Sequence, residues 1–170
     1  MSMNTALEMG ENPQPGEGEA QYLTFLMDGE EYGVDILRVQ EIRGWDSVTA
    51  IPNSPPYLKG VINLRGSVVP IVDLRLRFGL PPLEYGPTTV VIILRVEHDR
   101  GERVMGIVVD AVSDVHNLPA EGMKPPPDFG GAVDLDFIAG LALVDERMIV
   151  VLDIDRLLNS GELAPEGDAP

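Results

Sequence analysis

The chain has 170 residues and no cysteine, and its 28 acidic against 12 basic side chains give a formal net charge of -16. The absence of cysteine excludes disulfides, thiolate nucleophiles and zinc–sulfur sites, and the negative charge disfavours nucleic acid and anionic membranes as partners. This length suits one large domain or two small ones packed together. Residues 1–20 and 160–170 are rich in Gly, Pro and Glu, so both are predicted to be disordered acidic tails.

The first predicted elements behind the N-terminal tail are an extended pair and a helical turn. Residues 21–27 and 32–36 are apolar, strand-like runs, and the Asp28-Gly29 pair between them is typical of a hairpin turn. Apolar residues recur at helical spacing in residues 36–42, which indicates one or two helical turns there.

Short extended runs and capping residues continue through the middle of the chain. Arg65-Gly66 joins two β-branched runs and predicts a second hairpin, with the glycine at positive φ. Asp73 is placed to cap the helix that follows. In chain order the predicted elements are a strand over 47–51, a helical turn over 54–60, hairpin strands over 61–64 and 67–72, a helix over 74–78 and a loop over 80–87.

The second half repeats this pattern of strands and turns. Residues 88–96 predict a buried strand, and residues 97–102 a hairpin loop. Residues 103–118 predict either two strands or one bent strand, with Gly106 marking a bulge or a close backbone approach. Residues 137–158 predict two strands around a turn, followed by a helix that Asp153 caps. Nine or ten strands favour two small barrels or one large sandwich, and periodicity does not separate these.

Candidate catalytic groups are few and scattered. The two histidines, His98 and His116, are far apart in sequence, whereas a metal site gathers two or three such ligands. Four aspartates alternate in two pairs that would share a strand face and would suit a hard cation or acid–base work: Asp134, Asp136, Asp153 and Asp155. A carboxylate-based metal-binding or hydrolytic domain therefore stays an alternative, beside a binding module without catalysis.

Four segments carry a family resemblance. The chain is similar to the CheW family of chemotaxis coupling proteins, and the similarity extends over about residues 20–160. The segments are, in order, EEYGVDILRVQEIRG (30–44), IPNSPPYLKGVINLRGSVVPIVDLRLRFG (51–79), TTVVIILRV (88–96) and RVMGIVVDAVSDV (103–115).

The resemblance implies an all-β fold of two side-by-side, five-stranded SH3-like barrels with a short C-terminal helix. We expect a CheW-like domain over 21–159, with barrel one mainly 21–87, barrel two mainly 88–150 and a C-terminal segment over 151–159 that packs back. No basic-then-apolar leader and no apolar run of ~18 residues is visible, so we expect a cytoplasmic protein without direct membrane insertion.

The resemblance also implies a function. The protein would be a non-enzymatic adaptor without a cofactor, and it would couple the cytoplasmic tips of chemoreceptors (methyl-accepting chemotaxis proteins) to the regulatory domain of the kinase CheA. It would be recruited to membrane-associated receptor arrays. A paralogue that serves another chemosensory pathway is the alternative within the family.

The family's contact sites carry over residue by residue. The positions that match the receptor-binding groove are Val39, Glu41, Arg65, Val90, Gly106, Val112 and Val115. Those that match a kinase contact are Lys124 and Phe129. Arg65 has two possible roles, since it is either a hairpin-tip residue or a polar group that binds the receptor or holds Glu41 in place.

Overall fold

The structure is a computed structural model and describes residues 18–98, 101–119, 123–125 and 135–159. Ten strands form two five-stranded sheets within these ranges. The strands are β1 Glu19–Met27, β2 Glu30–Asp35, β3 Val39–Gly44, β4 Leu58–Leu64, β5 Ser67–Asp73, β6 Val90–His98, β7 Gly101–Val109, β8 Ala111–Pro119, β9 Ile138–Val144 and β10 Arg147–Leu152. The helices are α1 Leu74–Arg77 and α2 Ile154–Asn159, and 3-10 turns cover Ile36–Arg38 and Leu135–Phe137.

The two sheets are nested in the sequence. The central sheet has the strand order β3-β6-β7-β5-β4, and the terminal sheet has the order β8-β1-β2-β10-β9. The chain therefore starts in the terminal sheet, builds the whole central sheet and then returns. The expected barrels, mainly 21–87 and mainly 88–150, do not match these two sheets. Two parallel pairs, β2–β10 and β5–β7, each join a strand before residue 87 to a strand after it.

All four predicted strand–turn–strand units are present, but the loop expected over 97–102 is shorter, because β6 continues to His98 and β7 begins at Gly101. Asp28 and Gly29 lie at φ 54° and 80°, and Arg65 and Gly66 at φ 51° and 91°. Both turns thus have positive φ at their two central residues, as in the type I′ turns that match the right-handed twist of the flanking strands. The last hairpin joins β9 to β10 through Asp145-Glu146, also at positive φ.

The predicted helical turns over 36–42 are only partly present. Asp35 caps a single 3-10 turn, with its Oδ1 accepting from the Leu37 amide at 2.9 Å. From Val39 onward the backbone pairs with β6 instead. Pairing with a distant strand thus overrides the local helical spacing.

Two further predictions differ from the structure. The strand expected over 47–51 is reduced to one isolated bridge, in which Thr49 and Val61 exchange two backbone hydrogen bonds of 2.9 Å. The helical turn expected over 54–60 is one hydrogen-bonded turn, closed by the Leu58 amide on the Pro55 carbonyl at 3.0 Å. Gly60 belongs to β4, where an added Cβ would lie 2.2 Å from the Thr49 carbonyl oxygen.

Both predicted helix caps are confirmed. Asp73 accepts from the Leu76 amide at 3.2 Å, and Asp153 accepts from the Arg156 amide at 3.1 Å. The short C-terminal helix is α2, as expected. No helix among the described ranges is long and apolar enough to span a membrane.

One large apolar core lies between the sheets. It takes side chains from strands of both sheets and from α2, among them Phe25, Tyr32, Ile92, Ile107 and Leu157. Smaller clusters belong to the central sheet and to the terminal sheet separately. This arrangement, with one shared core and one smaller cluster for each sheet, agrees with the expected pair of packed five-stranded units.

A buried arginine clasps the two sheets together. Arg75 of α1, with a side chain 8% exposed, places Nη1 2.9 Å from Asp110 Oδ2 and Nη2 3.3 Å from Asp28 Oδ1. Its Nε donates to the Pro81 carbonyl at 2.9 Å. Asp28 lies in the β1–β2 turn of the terminal sheet, and Asp110 joins β7 to β8, so the clasp fixes the crossing between the sheets.

Candidate functional site

Arg65 lies at the tip of the β4–β5 hairpin and reaches across to β3. Its Nη2 is 2.7 Å from Glu41 Oε1, and Arg43 Nη1 lies 3.6 Å from Glu41 Oε2. β3 and β4 are at opposite ends of the strand order, so this cluster and the Thr49–Val61 bridge both draw the ends of the central sheet together. Arg65 is thus both a hairpin-tip residue and a partner of Glu41, so the two roles expected for it are compatible in this structure.

The electrostatics of this cluster favour recognition over stability. Arg65 is 66% exposed, Arg43 is 41% exposed and Glu41 is 28% exposed. An ion pair with this much solvent access contributes about 0–1 kcal/mol to folding. Two guanidinium groups share one carboxylate, so donors remain available for acceptors on a partner.

The four predicted valines lie at the rim of the shared core. Val39 and Val90 belong to the central sheet, whereas Val112 and Val115 belong to β8, an edge strand of the terminal sheet. All four are half-buried and pack against the core between the sheets. Each side chain therefore fills the core and still presents part of its surface.

Gly106 is enclosed by side chains of its own sheet. It is buried in β7, and an added Cβ would lie 2.7 Å from Ile71 Cδ1 and 2.9 Å from Val91 Cγ1. The protein's own core thus occupies the space beside this glycine, which agrees with the close approach expected there.

The predicted kinase contact is described only in part. Lys124 is exposed, and its backbone pairs with Leu141 on the open side of β9 through hydrogen bonds of 3.1 and 2.8 Å. Phe129 lies outside the described residues. Sequence reasoning missed two exposed apolar residues in the β9–β10 hairpin, whose β9 strand pairs with Lys124. Leu143 and Met148 are cross-strand partners in this hairpin and are 64% and 46% exposed.

Two of the four aspartates proposed as metal ligands, Asp153 and Asp155, have structural partners. Asp153 caps α2, and Asp155 receives two hydrogen bonds from Arg38, at 2.9 and 2.7 Å. Asp136 lies in a 3-10 turn, and Asp134 is outside the described residues. Among the described ranges, no three His, Cys, Asp or Glu side chains gather as a metal site would require.

The ion pair of Asp155 shifts its titration. Burial alone would raise the pKa of this carboxyl, but the hydrogen bonds from Arg38 and from the Glu97 amide outweigh it. The pKa of Asp155 is therefore held below its ordinary value, and the charged form is favoured when the protein is folded. This pair ties α2 to the 3-10 turn before β3.

The two histidines also remain apart. His98 ends β6, while His116 on β8 lies with its Nε2 3.7 Å from Glu31 Oε2. Glu31 is a buried residue, and its other oxygen pairs with Arg147 at 2.9 Å. The buried Glu31 carboxylate thus has two basic neighbours, His116 and Arg147.

A cavity of about 250 Å³ opens in the seam between the end of β3 and β4, and sequence reasoning did not find it. Trp45, the one tryptophan of the chain, lines it and packs edge-on against Tyr85, with ring centroids 4.4 Å apart. The Tyr85 hydroxyl donates to Asp73. Burial, followed by this bond, raises the pKa of Tyr85 above its ordinary value, so the phenol keeps its proton.

Comparison with known proteins places these features in a family context. The family model described as the CheW-like domain matches residues 21–162. The chain is 49% identical over 144 residues to "Chemotaxis protein CheW" of Klebsiella aerogenes, covering 85% of this chain and 84% of that protein. It is 37% identical to "Probable chemotaxis protein CheW" of Rhizobium etli, over 86% of this chain and 92% of that protein.

A solved structure is similar along almost the same part of the chain. It is the crystal structure of scaffolding protein TtCheW from Thermoanaerobacter tengcongensis, with a TM-score of 0.74 and 31% identity. The similarity covers 84% of this chain and 94% of the other. The family-model match over residues 21–162 includes the residues that line the seam cavity and the Arg65–Glu41 pair.

Proposed function

The chain belongs to the CheW family, and on this premise we propose that it joins the cytoplasmic tips of chemoreceptors to the regulatory domain of a CheA-type histidine kinase. The protein is a chemotaxis coupling and scaffolding adaptor. The family match over residues 21–162 carries this conclusion, because it spans every strand of both sheets after the first two residues of β1.

The receptor surface that we propose combines the seam ion pair with the rim valines. Glu41 and Arg65 supply charge and spare hydrogen-bond donors, and Val39, Val112 and Val115 supply apolar surface at the edges of the two sheets. Val90 extends the apolar part, and Gly106 keeps β7 close against Ile71 beneath it. A helical receptor tip is suited to such a surface, because apolar anchors fix a helix and polar groups set its register.

The kinase surface that we propose lies at the β9–β10 end of the terminal sheet. Lys124 and Phe129 belong to it by family resemblance, and the exposed Leu143 and Met148 extend it. Large apolar side chains that remain exposed together mark protein interfaces more often than scattered single ones do. A basic side chain beside them suits an acidic rim on the partner.

An adaptor role without catalysis agrees with how the polar groups are used. Asp153 caps α2, Asp155 pairs with Arg38, and Asp110 pairs with the buried Arg75. These carboxylates therefore stabilise the fold. A protein that binds the cytoplasmic tips of receptors acts at the cytoplasmic face of receptor arrays, which is where we propose this one works.

Binding assays on the purified protein test the proposal. We expect saturable binding to a receptor-tip fragment and to a CheA regulatory domain of the same organism. Arg65→Ala should weaken only the receptor complex, and Phe129→Ser only the kinase complex. Arg156→Ala is the matched control, since Arg156 is 65% exposed and Arg65 66%. A folded protein that binds neither partner would refute the proposed function.

A further inference from the structure

We propose that the seam cavity and Arg43 form a two-part recognition site, which takes one large apolar side chain and one carboxylate from the same segment of the receptor tip. The inference rests on the proposed function, because that function supplies the partner. Arg43 links the two parts, since it lines the cavity and also faces Glu41 at 3.6 Å.

The size of the cavity suits one large side chain, and its walls combine apolar residues with polar ones such as Ser47 and Asn63. Its volume is about 250 Å³, whereas pockets for drug-sized ligands occupy ~300–1,000 Å³. An apolar cavity of ~150 Å³ already holds one benzene ring. Ile71 and Val91, which line it, are buried, and Val48 and Ile62 are half-buried members of the same apolar cluster. The cavity therefore fits one aromatic or branched aliphatic group, and a cofactor would be too large for it.

The cavity is open to a partner because the seam is only partly closed. β3 and β4 lie at opposite ends of the central sheet, and the Thr49–Val61 bridge joins the seam after β3 has ended. Ser47 and Asp46 line the cavity and are exposed. Asn63 lines the other wall and accepts from the Gly66 amide at 2.8 Å, which places the Arg65 turn beside the cavity.

The basic groups around the seam can receive a carboxylate. Arg43 and Arg65 share Glu41, and Lys59 lies over the Tyr85 ring that packs on Trp45. With Asp46, and with Asp73 that accepts from Tyr85, these three basic groups are balanced by three acidic ones. The seam is thus locally neutral in a protein whose net charge is -16, so an acidic partner segment meets less repulsion there than elsewhere on the surface.

Arg43, the cation that lines the cavity, is suited to receive that carboxylate. Arg43 is 41% exposed, and its contact with Glu41 at 3.6 Å is longer than a hydrogen bond. Its guanidinium therefore keeps donors for a bidentate carboxylate pair. A helix presents an apolar and an acidic side chain on one face when they are three or four residues apart. We infer that the receptor tip carries such a pair.

Fluorescence and calorimetric titrations test the inference. The probe is a tryptophan-free receptor-tip fragment, and Trp45 is the reporter because it lines the cavity. Ser47→Phe puts a ring at the cavity mouth, and Arg43→Glu reverses the charge. We expect each change to weaken binding at least tenfold and the wild-type emission to shift on binding. Ser47→Leu replaces Ser47→Phe if that variant does not fold.

Two control variants place similar changes elsewhere. Glu102→Phe adds a ring at an exposed position of β7, and Arg156→Glu reverses an exposed charge on α2. Both should bind within twofold of the wild type. If the wild type binds but either Ser47→Phe or Arg43→Glu leaves affinity within twofold, the two-part site is refuted while the proposed function stands. If the folded wild type does not bind the tip at all, the inference and its receptor partner are both refuted.

Discussion

Replacement of Arg75 by methionine tests whether the buried clasp holds the two sheets together. Removing one partner of a buried ion pair costs about 3–5 kcal/mol, because the charge left behind is unpaired. Asp28 is 51% exposed and will be rehydrated, whereas Asp110 is only 22% exposed. The unfolding free energy should therefore fall by somewhat less than this, by about 2–4 kcal/mol.

Urea unfolding measures this loss with two probes. Far-UV circular dichroism follows all ten described strands, and the fluorescence of Trp45 follows the central sheet. Because the largest core is shared by both sheets, we expect the two transitions to coincide in the wild type. Arg75→Met should lower the midpoint in both probes.

A matched variant and a threshold make the test decisive. Arg156 is 65% exposed, and Arg156→Met should change the unfolding free energy by no more than about 0.5 kcal/mol. Arg75→Lys keeps the charge without the planar fork and should fall between the wild type and Arg75→Met. A loss below about 1 kcal/mol for Arg75→Met would show that the contacts of Arg75 do not hold the sheets as we argue.

The other predictions concern α2 and two glycines. Asp155→Asn should lower the unfolding free energy by about 1.5–3 kcal/mol at neutral pH, since it weakens charged hydrogen bonds from Arg38. The folded pKa of Asp155 is depressed, so this difference should hold above pH ~4 and fade as pH drops through the folded pKa; a pH-independent difference in urea titrations would contradict it. Gly60→Ala should lower the unfolding free energy much more than Gly66→Ala in the same assay. A Cβ at residue 60 would meet the Thr49 backbone, whereas a Cβ at residue 66 would have nothing within 4 Å. Equal losses would be inconsistent with this packing.

Local signals in the sequence predicted the parts of the fold that depend on neighbouring residues. The Asp28-Gly29 and Arg65-Gly66 turns were predicted because each is a two-residue link that ends in Gly and joins two strand-like runs. The cap at Asp73 was predicted because its side chain bonds an amide three residues ahead. Such features are encoded within four residues and need no knowledge of the rest of the chain.

Features that depend on distant residues could not be predicted from local pattern. The parallel pairing of β5 with β7 places Ile71 beside Gly106, and no local spacing indicates this register. The same holds for the clasp, since Asp110 is 35 residues from Arg75. Residues 36–42 show the reverse case, where a helical spacing was present but pairing with β6 decided the structure.

The candidate site was predicted from the resemblance more than from physical chemistry. Val39 and Val115 are, by residue type, core residues, and the structure shows them half in the core. The exposed part of each side chain could be identified only from the structure, because it depends on β3 and β8 being edge strands. The seam cavity had no local sequence signal, because its walls come from segments 43–49, 61–63, 71 and 91.

The chemistry of the seam explains how a small contact can be selective. A single side chain and one ion pair bury too little surface for high affinity, but an array supplies several linked contacts, and the later ones form at high effective concentration. Selectivity then depends on how well the anchor fills the cavity. Each methylene that the partner side chain lacks forfeits about 0.8 kcal/mol of apolar burial, so an anchor shorter by two methylenes loses ~1.6 kcal/mol, or roughly tenfold in affinity. Under the proposed function, linked contacts multiply that tenfold loss at each copy in an array, and a cavity of about 250 Å³ would thus discriminate between receptor tips.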